Sequence, residues 1–309
     1  MFNAMAQGDW RTPLAEKLID LRKLSRTDPR RLDPTSNNLV CLTRQIAMPA
    51  DVHAELRFHE MRFVEALARG RNSYGAVLVG RSAARVQGMW VVSMSSEPVE
   101  LALPSAHVPP SYRSAGGVVC RRRPISQHNV IHGVRVTHPV RTFIDIARDH
   151  GFAEGLIAAD WLRSQGFERG HLVAAVEKMG RFRNLSVVRR CIEHSSAASE
   201  SPYESLARAL FIWGKVGDIE VQVEICGFRV DLLIDGWVAV EIDGDLKYSQ
   251  DPEQTIIQEY NRQKQIGNLG FAFMRYRSEE LRREPRRVLA EVRSTLESGA
   301  SQLRNTALR

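Results

Sequence analysis

Apolar and polar positions alternate in twos along two short runs around residue 235, and this is the most informative pattern in the chain. Val230, Leu232 and Ile234 alternate with Asp231 and Leu233, and Val238, Val240 and Ile242 alternate with Ala239, Glu241 and Asp243. Between the runs lies Asp235-Gly236, a dipeptide that favours tight β turns, so the pair reads as an antiparallel hairpin. One face is aliphatic and belongs to a core. The other carries carboxylates.

The connection length decides whether those carboxylates meet, because residues directly opposite in an antiparallel pair point the same way. A two-residue loop at Asp235-Gly236 sets Asp231 opposite Val240 and sends Glu241 to the far face. A three-residue loop, Ile234-Asp235-Gly236 with Gly236 left-handed in a bulge, sets Leu233 against Trp237 and Asp231 against Ala239. Asp231, Glu241 and Asp243 then share a face. The aliphatic pattern requires this parity, since otherwise half the valines and isoleucines face water. Crowded acids need a cation between them, and carboxylate oxygens suit Mg2+ or Mn2+. The alternative is a solvated edge strand whose charges deter pairing.

Upstream, Thr12-Pro13 predicts a helix start with Leu14, Leu18, Leu21 and Leu24 as its stripe. Residues 28–38 read as a loop, 39–46 as a strand and 51–69 as one amphipathic helix with Leu56, Met61, Val64 and Leu67 inward. Together these suggest a small or truncated winged helix without a clear recognition helix. Residues 76–79 begin a strand or helix, and Ser82 caps a short helix ending at Gly88. Residues 90–92, 99–103, 117–123 and 130–136 read as β, and 153–163 and 171–179 as helices. Thr142 with Asp145 reads as an N-cap followed by an acid in the first turn. Ser195-Ser-Ala-Ala-Ser-Glu200 is small and polar, the best linker candidate, and marks a domain boundary.

Beyond it the order is α-β-β-β-α-β-α. A helix starts at Ser201-Pro202-Tyr203-Glu204, whose capping box accounts for Glu204. The first strand, 220–225, alternates and turns Glu220, Gln222 and Glu224 to water. The hairpin follows, then a helix over 255–267, a strand over 271–277 and a closing helix over 285–297. The expected class is α/β, with an α+β N-terminal region.

The 309 residues suit two or three domains, and 43% hydrophobic with 26% charged content suits packed cores. No apolar run approaches the ~20 residues that span a bilayer. Residues 1–10 hold no signal core, so a cytoplasmic location away from membranes is expected. Cys41, Cys120, Cys191 and Cys226 are far apart with no C-x-x-C pair, which points to free thiols and away from zinc.

A net charge of +7 favours a polyanionic partner, DNA in particular. Arg121, Arg122 and Arg123 form a basic run on a strand, either a DNA-facing patch or a solvated edge. Arg262, Lys264, Arg275, Arg277, Arg282, Arg283, Arg286 and Arg287 surround or follow the acidic hairpin. A basic rim around an acidic centre suits a phosphodiester, with cations on the backbone and carboxylates on a metal. The same arginines also suit helix ends.

Asp231, then Glu241-Ile-Asp243-Gly244, then Lys247 resembles the PD-(D/E)xK nuclease superfamily, and within it the branch similar to very-short-patch-repair (Vsr-like) endonucleases. The likeness takes in Glu204 on a leading helix, Glu259-Tyr-Asn-Arg262 on a later one and the strand reaching Arg275, so it covers the last third of the chain. It implies an endonuclease-like domain over 195–309 that hydrolyses DNA with Mg2+ or Mn2+, in repair, restriction or phage defence. The resemblance gives Asp231 and Glu241 as metal ligands, Asp243 as a further ligand or water-orienting group, and Lys247 as a stabiliser of charge on phosphorus. Glu204 and Arg262 take secondary roles, and Arg262, Lys264, Arg275 and Arg277 hold DNA. Asp243 stands where the superfamily name expects Lys, and Lys247 where the branch carries His.

Arg81-Ser-Ala-Ala84 and Thr137-His-Pro-Val-Arg-Thr142-Phe-Ile-Asp145-Ile-Ala147 resemble the AbiEi-like type IV antitoxin family. That implies a mixed α/β domain over 76–194, a degenerate winged helix within 1–75, promoter DNA, and a toxin or defence protein as partner. The alternative to a nuclease is therefore a non-catalytic, antitoxin-type DNA-binding regulator with a degenerate nuclease-like domain.

Overall fold

The structure is a computed structural model that describes residues 9–104, 116–225, 227–244, 265 and 267–307, with side chains to residue 299. It is a mixed α/β fold whose mixed sheets are flanked by helices. Among the described residues, no helix is long and apolar enough to cross a membrane.

The first sheet has the order β1-β3-β2 and is antiparallel. It is built from α1 (Arg11–Glu16), β1 (Ile19–Asp20), α2 (Pro29–Leu32), β2 (Leu39–Cys41) and β3 (Ile46–Pro49). The stripe expected to run to Leu24 is not one helix. Leu18 joins the core around Phe63, while Leu21 packs with Leu39 and Ala47, so the chain must turn between them. The expected strand 39–46 is a hairpin, closed where the Ile46 N–H donates to Thr43 Oγ1 at 3.1 Å. The expected helix 51–69 is two helices, α3 (Ala50–Ala54) and α4 (Phe58–Asn72). Arg57 is extended, and its N–H donates to the Glu60 carboxylate at 2.8 Å, which restarts the helix.

The second sheet, in the order β6-β5-β4-β8-β7, holds β4 (Val77–Leu78), β5 (Val99–Ala102), β6 (Val118–Arg121), β7 (Asn129–Ile131) and β8 (Val134–Val136). Between β4 and β5 runs α5 (Gly80–Gln87), ended by left-handed Gly88. Residues 90–92 are not a strand. Trp90 and Val91 pack against helices and Val92 joins the C-terminal core. Phe63, Val64 and Leu67 of α4 pack with Ile46, Leu78, Leu101 and Val136, so residues before 75 share one core with this sheet.

A helical layer follows: α6 (Pro139–His150), α7 (Phe152–Ser164), α8 (Arg169–Lys178) and α9 (Leu185–His194). His138, not Thr142, is the N-cap of α6; Thr142 is buried and shares its hydroxyl with Thr137 and Gln87. The α9 helix went unread in the sequence, although Leu185, Val188, Cys191 and Ile192 carry its period.

The third sheet, in the order β12-β11-β10-β9, is antiparallel except that β12 runs parallel to β11. Its elements are α10 (Pro202–Gly214), β9 (Ile219–Ile225), β10 (Phe228–Ile234), β11 (Val238–Asp243), β12 (Ala272–Arg277), α11 (Ser278–Arg283) and α12 (Pro285–Ala307). The helix expected over 255–267 falls almost entirely outside the described residues. Leu232, Ile234, Val238 and Val240 pack on Leu206, Phe211, Leu281 and Val288, as the aliphatic pattern requires. Ile157 of α7 and Val92 enter this same core. The small polar stretch before α10 is held: Ser195 and Ser199 are buried, and Asp160 accepts from Ser196 N at 2.8 Å and from the Ser199 hydroxyl at 3.3 Å.

Candidate functional site

The β10–β11 connection has the odd parity that the hydrophobic pattern demands, but its register is shifted by two residues. Leu233 faces Ala239 rather than Trp237, and Ile234 faces Val238 across Asp235-Gly236-Trp237. Asp235 sets the shift. Its N–H donates to Asp218 O at 2.9 Å and its carboxylate accepts from Asp218 N at 2.8 Å, which holds it out of the strand pair. Both Asp235 (φ 48°) and Gly236 (φ 72°) are left-handed.

Carried onward, this register sets Asp231 against Glu241, but ladder pairing stops at Leu232–Val240. The Asp231 side chain takes over there: Oδ2 accepts from the Ile242 N–H at 2.8 Å. In a β strand one residue's N–H and C=O point to the same side, so the Ile242 carbonyl is also turned toward β10. Ile242 is the residue between Glu241 and Asp243.

Two side-chain groups meet at that amide. On one side Gln222 Nε2 donates to Asp231 Oδ1 at 3.1 Å and to Glu204 Oε2 at 2.9 Å, one N–H for each carboxylate. Gln222 was expected to face water. It reaches inward because its backbone is left-handed, φ 55°, in the middle of β9, a kink that strict alternation in the sequence conceals. Glu204 is buried, and its pKa is raised, first by burial and also by the charge of Asp231. Ser201 Oγ accepts from Glu204 N at 3.1 Å, half of the expected capping box, but the Glu204 carboxylate accepts from Glu200 N instead of closing it.

On the other side, Glu241 and Asp243 share Arg275. Its NH2 donates to Glu241 Oε2 at 3.2 Å, and its Nε stands 3.1 Å from Asp243 Oδ2. Parallel pairing sets Glu241 beside Arg275 and Asp243 beside Arg277. Among the described residues, no three His, Cys, Asp or Glu side chains form a group that could hold a metal ion.

No family model, curated protein or solved structure matches this chain. Arg275, expected on DNA, lies against the acids, while Arg277 is exposed at the N-terminus of α11. Lys247, Arg262 and Lys264 lie outside the described residues.

The basic run at 121–123 is turned largely inward. Arg121 pairs with Glu100 and Asp149, and buried Arg123 pairs with Asp145 and Asp149, which leaves Arg122 exposed. Glu100 is fully buried and also accepts from Arg81 N at 2.8 Å and contacts His150 Nε2 at 3.0 Å. Arg81 NH2 lies 2.7 Å from His150 Nδ1. Arginine can only donate, so Nδ1 accepts and the Nε2–H donates to Glu100. Cys41, Cys120 and Cys191 are free thiols, and burial pushes the Cys191 thiol far up, which makes it unreactive.

Proposed function

We propose that the C-terminal sheet carries a metal-dependent DNA endonuclease centre of PD-(D/E)xK type. The observation that supports it best is the Asp231 carboxylate set into the gap where β10 and β11 part, on the backbone of the residue between Glu241 and Asp243. The donor types suit a hard cation, carboxylates of Asp231, Glu241 and Asp243 with the Ile242 carbonyl facing the same gap, although as they stand the three side chains do not form a metal-holding group. A Mg2+ or Mn2+ ion bound there supplies charge stabilisation to a phosphodiester and a more acidic water. Gln222 and Glu204 orient Asp231, and Arg275 holds Glu241 and Asp243 together. Lys247 supplies positive charge toward the phosphate.

Plasmid nicking in Mg2+ or Mn2+ tests this reading. Asp231→Ala should lose at least about 100-fold, since even supporting partners of metal ligands are worth 10–100-fold. No nicking by the wild type, or equal nicking by the variant, overturns it.

One observation favours a second reading. Arg275 already pairs with both Glu241 and Asp243, which suits a scaffold that no longer holds a metal and an antitoxin-type regulator that binds DNA without cutting it. A footprint on its own promoter that survives Asp231→Ala, without nicking, selects that reading.

A further inference from the structure

Apart from Arg122 and Arg277, a block of unpaired positive charge lies away from both the acidic hairpin and the 121–123 run. Residues 163–194 hold seven Lys and Arg against three Asp and Glu, an excess of four in a chain whose net charge is +7. The buried and half-buried Arg81, Arg85, Arg121, Arg123, Arg208 and Arg275, by contrast, all pair with carboxylates. Arg181, Arg183 and Arg189 are exposed and, with Arg190, make no ion pair among the described residues.

Two of the cations in this region are fixed without spending their N–H donors. Arg190 stacks over Phe152 at 4.4 Å, and Arg148 stacks over Phe182 at 5.6 Å. The Arg148 carbonyl accepts from Asn184 Nδ2 at 2.8 Å, which ties the 181–184 turn to the end of α6. Burial and then the neighbouring Arg123 push the Arg148 pKa down, against the pull of Asp149 and Asp145. The ten residues of α9 span about 15 Å, enough to follow several successive phosphates.

We propose that α9 and the turn before it bind the sugar–phosphate backbone of duplex DNA without regard to sequence. Stacked guanidinium forks with free N–H groups match phosphate oxygens. Single strands are the poorer fit, because the Phe152 and Phe182 rings that could stack with bases are already covered by arginine. The proposal rests on the nuclease reading only for its choice of polyanion, and it places the substrate on a surface separate from the acids.

The test is binding of a fluorescein-labelled 20-base-pair duplex of arbitrary sequence to the full chain in EDTA, titrated with salt. Arg181→Ala/Arg183→Ala/Arg189→Ala/Arg190→Ala should lower the slope of log K against log salt by about 3.6, at ~0.9 per phosphate contact. The corresponding quadruple lysine variant should keep the slope to within about 1, which separates charge from fold. A slope unchanged in the alanine variant, no duplex binding by the wild type at 50 mM salt, or tighter binding to single strands overturns the assignment. Because no turnover is needed, nicking with an unchanged slope sinks this surface alone, and a lowered slope without nicking sinks the nuclease alone.

Discussion

Glu100 shows how far a single side chain can depart from what its sequence neighbours suggest. It lies in an apolar strand, is fully buried, and binds partners from α5, β6 and α6. Burial on its own raises its carboxyl pKa, but the hydrogen bond from His150 and the Arg121 guanidinium outweigh this and hold it at about 2, against an ordinary value of 4.5. A depressed carboxylate stabilises the fold above its unfolded pKa, and that stability disappears as pH falls through the folded value. The protein should therefore lose about 3 kcal/mol between pH 4.5 and 2 through this group. Urea midpoints measured across that range should show the slope in the wild type and lack it in Glu100→Gln; equal slopes refute the assignment. Arg121 and Arg123 were legible as charge but not as buried charge. Their partners lie 21 to 28 residues away, in elements that no local pattern connects.

At the scale of elements, the sequence specified parity but not register. Alternation fixes which side chains face the core, so an odd connection between β10 and β11 followed from Leu232, Ile234, Val238 and Val240, while Val230 joins Leu233 and Ala239 in a separate cluster. A slide of two residues preserves every facing, and the choice between slides was made by Asp235 binding Asp218, outside the hairpin. Gly217 is part of that lock: its φ is 137°, and an added Cβ would run into the Asp235 carboxylate. Gly227 also has a positive φ, 81°, but open space around it. Gly227→Ala should cost about 1 kcal/mol of backbone strain, and Gly217→Ala roughly 2–3, because the clash is added. Urea unfolding of both variants checks this, and equal losses would remove Asp235 from the argument. Helices were legible in α7 and α8, whereas α9 was not, although Leu185, Val188, Cys191 and Ile192 carry its period. Helices were misread where a capping contact such as Glu60 on Arg57 interrupted an apolar run.

For the whole molecule, composition suggested separable parts, yet the stretch that looked like a linker is anchored at Ser195, Ser196 and Ser199. Ser, Ala and Glu at 195–200 read as flexible because nothing in their neighbourhood announces Asp160, some forty residues earlier. Asp160 is fully buried and accepts from Ser196, Ser199 and Arg208, while Arg208 also donates to His194 O. Ile157, one turn before Asp160 on α7, lies in the same core as Leu206 and Phe211. The helical layer and the C-terminal sheet are thus joined by apolar packing and by a buried ion pair, and should unfold together. Trp161 reports on the first and Trp237 on the second. In urea, tryptophan fluorescence and far-ultraviolet circular dichroism should trace one coincident transition in the wild type. Asp160→Ala strands Arg208 in the interior without its counter-charge, a change worth about 3–5 kcal/mol. It also frees residues 196–199, so the variant should both shift the midpoint and separate the two signals. A midpoint moved by less than about 1 kcal/mol would mean that the apolar core alone unites the two parts, with the ion pair contributing little.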